Sequence, residues 1–69
     1  MDKIKINTEF IKLSQLLKWI NIAESGAMAS HMIGEGLVKV NGESELRRGR
    51  KIYPGDKIEV EKAGSFLVE

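Results

Sequence analysis

The residue types that could do chemistry in this chain are concentrated in one short basic segment. Its four cations lie within five positions and are Arg47, Arg48, Arg50 and Lys51. No acidic residue falls within positions 46–52, and residues 37–57 carry six basic residues against three acidic ones. The planar guanidinium of arginine can donate two parallel hydrogen bonds to one phosphate or carboxylate. The segment therefore predicts a surface that faces an anionic partner.

A second group of candidate contacts lies outside this segment. Ser25 and Gly26 begin a predicted helix, where free backbone N–H groups can hold an anion without a charged side chain. Other polar or basic side chains could add single contacts, although each lysine among them could equally be a solvated surface residue. These secondary candidates are Lys12, Ser30, Lys39 and Asn41.

The residues that catalysis or metal binding would need are scarce. The chain holds one histidine, His31, and no cysteine, so a transition-metal site has too few ligands. A domain this short also has little with which to enclose a nucleophile away from water. The glycines at positions 34 and 36 end a predicted helix, whereas a phosphate-binding loop would open one. The sequence predicts no catalytic residue, no metal ligand and no cofactor.

The length and composition of the chain predict a single domain over residues 1–69. Hydrophobic residues make up 42% and charged residues 30%, which is typical of a folded chain. The sequence shows neither the apolar segment of a signal peptide nor the run of about 20 apolar residues that a membrane span needs. The lack of cysteine fits a reducing compartment. We therefore expect a cytoplasmic protein without a membrane partner.

Apolar spacing predicts two helices in the first half of the chain. Between positions 10 and 20, apolar residues recur every three or four positions, and Asn7 or Thr8 could cap the helix. Ser25 is the predicted N-cap of the second helix, and Gly36 is the predicted left-handed residue that closes it.

Alternating patterns and turn residues predict strands on both sides of the helices. Residues 3–6 alternate polar and apolar types, Asn41-Gly42 is a strong hairpin signal, and Pro54-Gly55-Asp56 predicts a turn. The strands predicted after the second helix are residues 37–40, 43–47, 57–61 and 66–68. This order of elements indicates an α+β fold in which two N-terminal helices pack on a small antiparallel sheet.

Several of these features occur together in a known family. A Ser-capped helix, then Ile-x-x-Gly, Val-x-Val-Asn-Gly and a later Gly-Asp turn follow one another between Ser25 and Asp56. In this respect the chain resembles the alpha-L RNA-binding domain named after small-subunit ribosomal protein four. The resemblance covers about residues 10–61, and the basic segment is similar to that of the short, stand-alone bacterial branch of YaaA-like proteins.

The resemblance implies a non-catalytic module that binds structured RNA, with ribosomal RNA as the favoured ligand, in ribosome assembly or ribosome-associated quality control. The implied contacts are the basic segment, the helix start and the secondary candidates already named. Many relatives carry Arg after the capping Ser and further basic residues on the second helix, whereas this chain has Gly26, Ser30 and His31. Aromatic residues are few, and Tyr53 is the one stacking candidate beside the basic segment. We therefore expect recognition of phosphates and shape rather than of bases.

The sequence also fits a different class of function, that of a protein–protein adaptor. Gly26, Ser30 and Gly34 are spaced four apart, so they form a stripe of small residues along one face of the second helix. Such a stripe allows close approach of another backbone. On this alternative, the chain is a protein–protein adaptor that docks a ribosomal or other partner helix on the stripe, and its arginines contact acidic side chains.

Overall fold

The computed structural model describes all 69 residues, which form two short helices and seven strands. The helices are α1 (Leu13–Trp19) and α2 (Gly26–Gly34). The strands are β1 (Asp2–Ile4), β2 (Ile11–Lys12), β3 (Val38–Val40), β4 (Glu43–Ser44), β5 (Lys51–Ile52), β6 (Lys57–Val60) and β7 (Gly64–Val68). Neither helix has the length and apolar character needed to span a membrane.

Five strands form one sheet in the order β1-β7-β6-β3-β4, and β2 pairs with β5 in a separate two-stranded ribbon. Every pair is antiparallel except β1 with β7, which is parallel. This edge is extended by Glu69, whose N–H donates to the Ile4 carbonyl and whose carbonyl accepts from the Ile6 N–H. The predicted α+β class is confirmed, and the parallel pair is a long-range feature that the local pattern did not predict.

Both helices pack on one face of the larger sheet and enclose a single apolar core. The leucines of α1 and two small or branched residues of α2 are fully buried there, namely Leu13, Leu16, Leu17, Ala29 and Ile33. In β3 and β6 the buried side chains alternate with more exposed ones. Burying an aliphatic side chain of this size contributes roughly 1.5–3 kcal/mol. This core holds α1 and α2 in place and leaves the basic residues outside it.

The second helix forms as its capping residues predict. The Ser25 hydroxyl oxygen accepts a hydrogen bond from the Met28 N–H at 3.1 Å, which satisfies one free donor of the first turn. At the other end, Gly36 has a φ of +79°, a left-handed conformation that stops the helix with little strain.

The first helix begins later than the apolar spacing predicts. Residues 11–12 are strand β2, the N-cap is Lys12, and no side chain caps the helix. The prediction of Asn7 or Thr8 as the cap was therefore wrong. The reason is a tertiary contact, because Ile11 and Lys12 pair with β5 instead of continuing the helix.

The strand predicted over residues 43–47 ends after two residues, and the burial beyond it is the reverse of the predicted alternation. Alternation places Leu46 inside and Glu45 outside. In the structure, Glu45 is 6% exposed and Leu46 is 62% exposed. The register of β4 on β3 is the reason. Ser44 lies opposite the exposed Lys39, and the Glu45 N–H donates to the carbonyl of the buried Val38 at 3.0 Å, so Glu45 lies on the core side of the sheet and Leu46 on the other.

Candidate nucleic-acid interface

The basic turn, which we define as residues 47–51, is attached to the start of α1 by backbone hydrogen bonds. The Leu13 N–H donates to the Arg50 carbonyl at 2.9 Å, and the Ser14 N–H donates to the Arg48 carbonyl at 3.1 Å. The first N–H groups of a helix lack partners within the helix. The turn therefore supplies the acceptors that the missing side-chain cap does not, and α1 in return fixes the position of the turn.

A buried carboxylate lies directly beneath two of the three arginines. Oε1 of Glu45 accepts from Arg47 Nη2 at 3.0 Å and from Arg50 Nη1 at 2.9 Å. Oε2 accepts from the Nε and the backbone N–H of Arg47, at 3.1 and 3.0 Å. The Arg47 and Arg50 hydrogen bonds hold the pKa of the Glu45 carboxyl far below its usual range, against the opposing effect of burial. The same contact raises the pKa of Arg47.

This arrangement corrects the expectation that all four cations of the basic segment face an anionic partner. Arg47 and Arg50 hold Glu45 in place, and Glu45 neutralises one of their two charges. Their exposure differs, since the Arg47 side chain is 74% exposed and that of Arg50 is 30% exposed. Arg50 therefore mainly holds Glu45 in place, whereas most of the Arg47 side chain stays exposed to solvent. Glu45 itself was the available sequence signal for this pairing, because it lies two positions before Arg47. The predicted strand alternation placed it on the solvent side and so concealed the signal.

Three cations around the same turn make no ion pair. Arg48, Lys12 and Lys51 have no carboxylate oxygen within 4 Å of their charged nitrogens. Lys12 and Lys51 are directly opposite each other in the β2–β5 ribbon, so their side chains leave the same face of it. Like charges in this position repel each other. The structure thus concentrates positive charge here without internal compensation.

The Lys51 ammonium is also held over an aromatic ring. Its Nζ lies 4.9 Å from the centroid of the Phe10 ring, and that ring is 5.8 Å from the ring of Tyr53. A cation over an aromatic face is stabilised by roughly 0.5–1 kcal/mol when it is exposed. Phe10 lies outside α1 and is half-buried. Its ring therefore orients a lysine at the surface and does not belong to the centre of the core.

Lys39 lies apart from this charge cluster. It occupies the exposed position between the buried Val38 and Val40 of β3, so it projects from the sheet face opposite the helices. Its partner in the register of β6 is Glu59. The structure does not bring Lys39 together with the basic turn.

Asn41 is exposed, and its side chain stabilises the hairpin. With Gly42 it forms the turn after β3, with φ values of +54° and +87°. Its Nδ2 donates to Asp56 Oδ1 at 3.0 Å, and its Oδ1 accepts from the Lys57 N–H at 2.9 Å. Both ends of this amide therefore make hydrogen bonds within the protein, which fix the direction of the side chain.

The predicted contacts on α2 lie near the other end of α1. The Ala23 N–H donates to the Leu17 carbonyl at 3.1 Å, so the connection to Ser25 stays beside the C-terminal half of α1. The basic turn, by contrast, contacts the N-terminal end. Gly26 is exposed and Ser30 is half-buried, and no hydrogen bond or ion pair links either of them to the turn.

The stripe of small residues is open at its two glycines, whereas Ser30 between them is half-buried. No atom lies within 4 Å of the position that a Cβ would take at Gly26 or at Gly34. Packing inside the domain therefore requires glycine at neither position. The structure contains no cluster of three or more His, Asp or Glu side chains that could hold a metal ion.

Trp19 is a candidate functional residue that the sequence reading missed. It is the last residue of α1 and is 53% exposed. The apolar spacing of the helix gives no signal of this, since aromatic residues at helical spacing usually belong to the core. The position of Trp19 does give a signal, because it lies beside Lys18 at the end of the helix and outside the stripe formed by the buried leucines.

The comparisons with known proteins agree with this architecture. Residues 4–69 match the S4 domain family. A Bacillus subtilis protein named "Probable ribosome maturation protein RlbA" is 49% identical over 67 residues, which cover 97% of this chain and 94% of the relative. An Escherichia coli protein named "Putative RNA-binding protein YbcJ" is 44% identical over 48 residues, which cover 70% of this chain and 69% of the relative. With a match that spans nearly its whole length, this chain belongs to the S4 domain family.

Proposed function

We propose that this chain is a non-catalytic RNA-binding module that recognises structured RNA, specifically ribosomal RNA, during ribosome maturation in the cytoplasm. Membership of the S4 domain family and the names of the two relatives support this proposal. The single observation that carries it is the uncompensated charge of Lys12, Arg48 and Lys51 around one rigid turn.

The rigidity of this turn favours recognition of a defined RNA shape. Two backbone hydrogen bonds to α1 and the ion pairs of Glu45 fix the backbone from which Arg48 and Lys51 project. Cations that are already in position lose less conformational freedom on binding than cations on a mobile loop. The A-form helix of RNA is recognised mainly through its phosphates, its 2′-hydroxyls and its shape.

Arg47 adds a further contact in this proposal. A guanidinium has five N–H donors, and the Glu45 carboxylate takes only the Nε donor and one Nη2 donor. The remaining donors of this exposed side chain are fixed in direction by the pairing. The Ser25–Gly26 helix start and Ser30 stay secondary contacts of the proposal, and Lys39 and Asn41 lie outside it.

The experiment is a binding titration with fluorescently labelled ribosomal RNA fragments. The test variant is Arg48→Ala/Lys51→Ala, and the matched control is Lys5→Ala/Lys39→Ala. The control removes the same charge from exposed lysines that make no ion pair and do not belong to the turn. We expect the test variant to bind about 10-fold more weakly or worse, because two phosphate contacts are lost. An equal loss in both variants would mean that only net charge matters and would contradict the proposed site.

A further inference from the structure

A shallow groove lies between the N-terminal segment and α1, beside the uncompensated cations. Its volume is about 320 Å³, and its walls include Asn7, Thr8, Phe10, Ile11, Gln15 and Trp19. This volume is at the lower end of the roughly 300–1,000 Å³ of ordinary ligand clefts. The groove can therefore take a small planar group but not a packed helix.

The walls of the groove combine an aromatic face with free amide groups. Trp19 is 53% exposed and has no aromatic partner within the protein, so about half of its surface is free to contact a ligand. The amides of Asn7 and Gln15 are exposed and make no hydrogen bond within the protein. Amides both donate and accept, which is what the edge of a nucleobase requires.

The charge around the groove favours a group that belongs to a polyanion. Lys12 directly follows the groove residue Ile11, and Lys18 directly precedes Trp19. Phe10 connects the two sites, since its ring forms part of the groove and lies 4.9 Å from the Lys51 ammonium. The only acidic residue between positions 6 and 19 is Glu9.

We propose that this groove binds a single unpaired nucleobase of the RNA, stacked on Trp19, while Lys12, Arg48 and Lys51 contact the adjacent phosphates. The inference rests on the proposed RNA-binding function and adds to it a binding site for one unpaired base. The favoured RNA then contains a bulge, a loop or a free end next to a helix, because a base in a regular duplex cannot leave the stack without cost.

The test uses the fact that Trp19 is the only tryptophan of the chain. Its emission is measured during titration with a short RNA duplex that carries one unpaired adenosine, with the same duplex without it, and with inorganic polyphosphate. Anisotropy of the labelled RNAs reports binding independently. We expect the bulged RNA to quench the emission strongly, and we expect the regular duplex and the polyphosphate to change it little.

Variants extend the test beyond fluorescence. Trp19→Ala should weaken binding of the bulged RNA roughly 5- to 150-fold, which corresponds to the loss of one base–aromatic stack, and should leave binding of the regular duplex unchanged. Met28→Ala is the matched control, because it truncates an exposed apolar side chain on the other helix. The thermal midpoint of each variant checks its folding.

The failure of this inference can be told apart from the failure of the proposed function. If both RNAs bind equally well and the Trp19 emission does not change, the groove is not a base site, although RNA binding stands. If the ribosomal RNA fragments bind but the bulged duplex does not, the base site is wrong. If neither the duplexes nor the ribosomal RNA fragments bind in the anisotropy measurement, the proposed function is wrong and the base site falls with it.

Discussion

The Glu45 carboxylate and the Arg47 guanidinium form a two-point contact, with Oε2 to Nε at 3.1 Å and Oε1 to Nη2 at 3.0 Å. Oε1 also accepts from Arg50, so one buried acid holds residues on both sides of Arg48. Arg48 itself is left outside this network. Glu45 therefore determines which arginine of the turn is available to a partner.

Replacing the carboxylate should destabilise the domain. For Glu45→Gln we expect a loss of about 1–3 kcal/mol in the free energy of unfolding, because charge-assisted hydrogen bonds to a buried group are lost. Glu43→Gln, on the exposed strand just before it, should change this free energy by no more than about 0.5 kcal/mol. Urea denaturation measures both variants. Equal stabilities would show that the network around Glu45 contributes nothing net.

The same carboxylate should make stability depend on acid. The pKa of Glu45 is lower in the folded protein than its unfolded value of 4.5. Its contribution is therefore fully present above that value and is lost as the pH falls toward the folded pKa. The difference in unfolding free energy between the wild type and Glu45→Gln should shrink between about pH 6 and about pH 3. A difference that stays constant over this range would contradict the pairing.

The dependence of RNA binding on salt should count the cations that contact phosphates. With contacts from Lys12, Arg47, Arg48 and Lys51, the slope of log K against log salt should be about −2.8 to −3.6. Raising the salt from about 50 to about 200 mM would then weaken binding roughly 50- to 150-fold. A slope of about −4.5 would mean that Arg50 also contacts a phosphate, contrary to its role in holding Glu45. Titrations at four salt concentrations provide the measurement.

The amide of Asn41 should matter for stability and not for RNA. Asn41→Gly keeps a residue suited to the φ of +54° and removes the hydrogen bonds to Asp56 and Lys57. We expect a loss of about 1–3 kcal/mol in unfolding free energy and unchanged RNA affinity of the folded protein. Asn21→Gly is the control, since Asn21 also has a positive φ, of +62°, and makes no side-chain hydrogen bond. A loss of RNA affinity specific to Asn41→Gly would restore Asn41 to the interface.

The open stripe on α2 provides a test of the adaptor alternative. Gly34→Ala should raise the unfolding free energy by about 0.5–1 kcal/mol, because the space is free and alanine favours the helix. Gly36→Ala should lower it, since that φ is +79°. Both are measured by urea denaturation. If Gly34→Leu binds RNA normally but loses a protein that the wild type retains after nuclease digestion, the adaptor function is supported.

Local signals in the sequence predicted the parts of the fold that local interactions decide. The caps of α2 depend on Ser25 and Gly36 alone, and both formed as predicted. The start of α1 could not be predicted in this way, because it depends on pairing between Ile11 and Ile52, residues far apart in the chain.

In the candidate site, too, local features could be predicted and tertiary contacts could not. The basic segment was evident from composition, but the pairing of its arginines was not. The direction of Glu45 depends on the register of β4 on β3, and the prediction chose the wrong side because it placed the apolar Leu46 inside. The exposure of Trp19 likewise depends on how α1 lies against the N-terminal segment.

The parallel pairing of β1 with β7 has a consequence for folding during synthesis on the ribosome. The first strand finds its neighbour only among residues 66–68, and β7 lies between β1 and β6 in the sheet. During synthesis, β1 therefore stays unpaired until residues 66–68 have emerged from the exit tunnel. The β3–β4 hairpin and α2 depend on contacts that are close in sequence, whereas completion of the sheet depends on this long-range pair, and pairings of that kind are intrinsically slow to form.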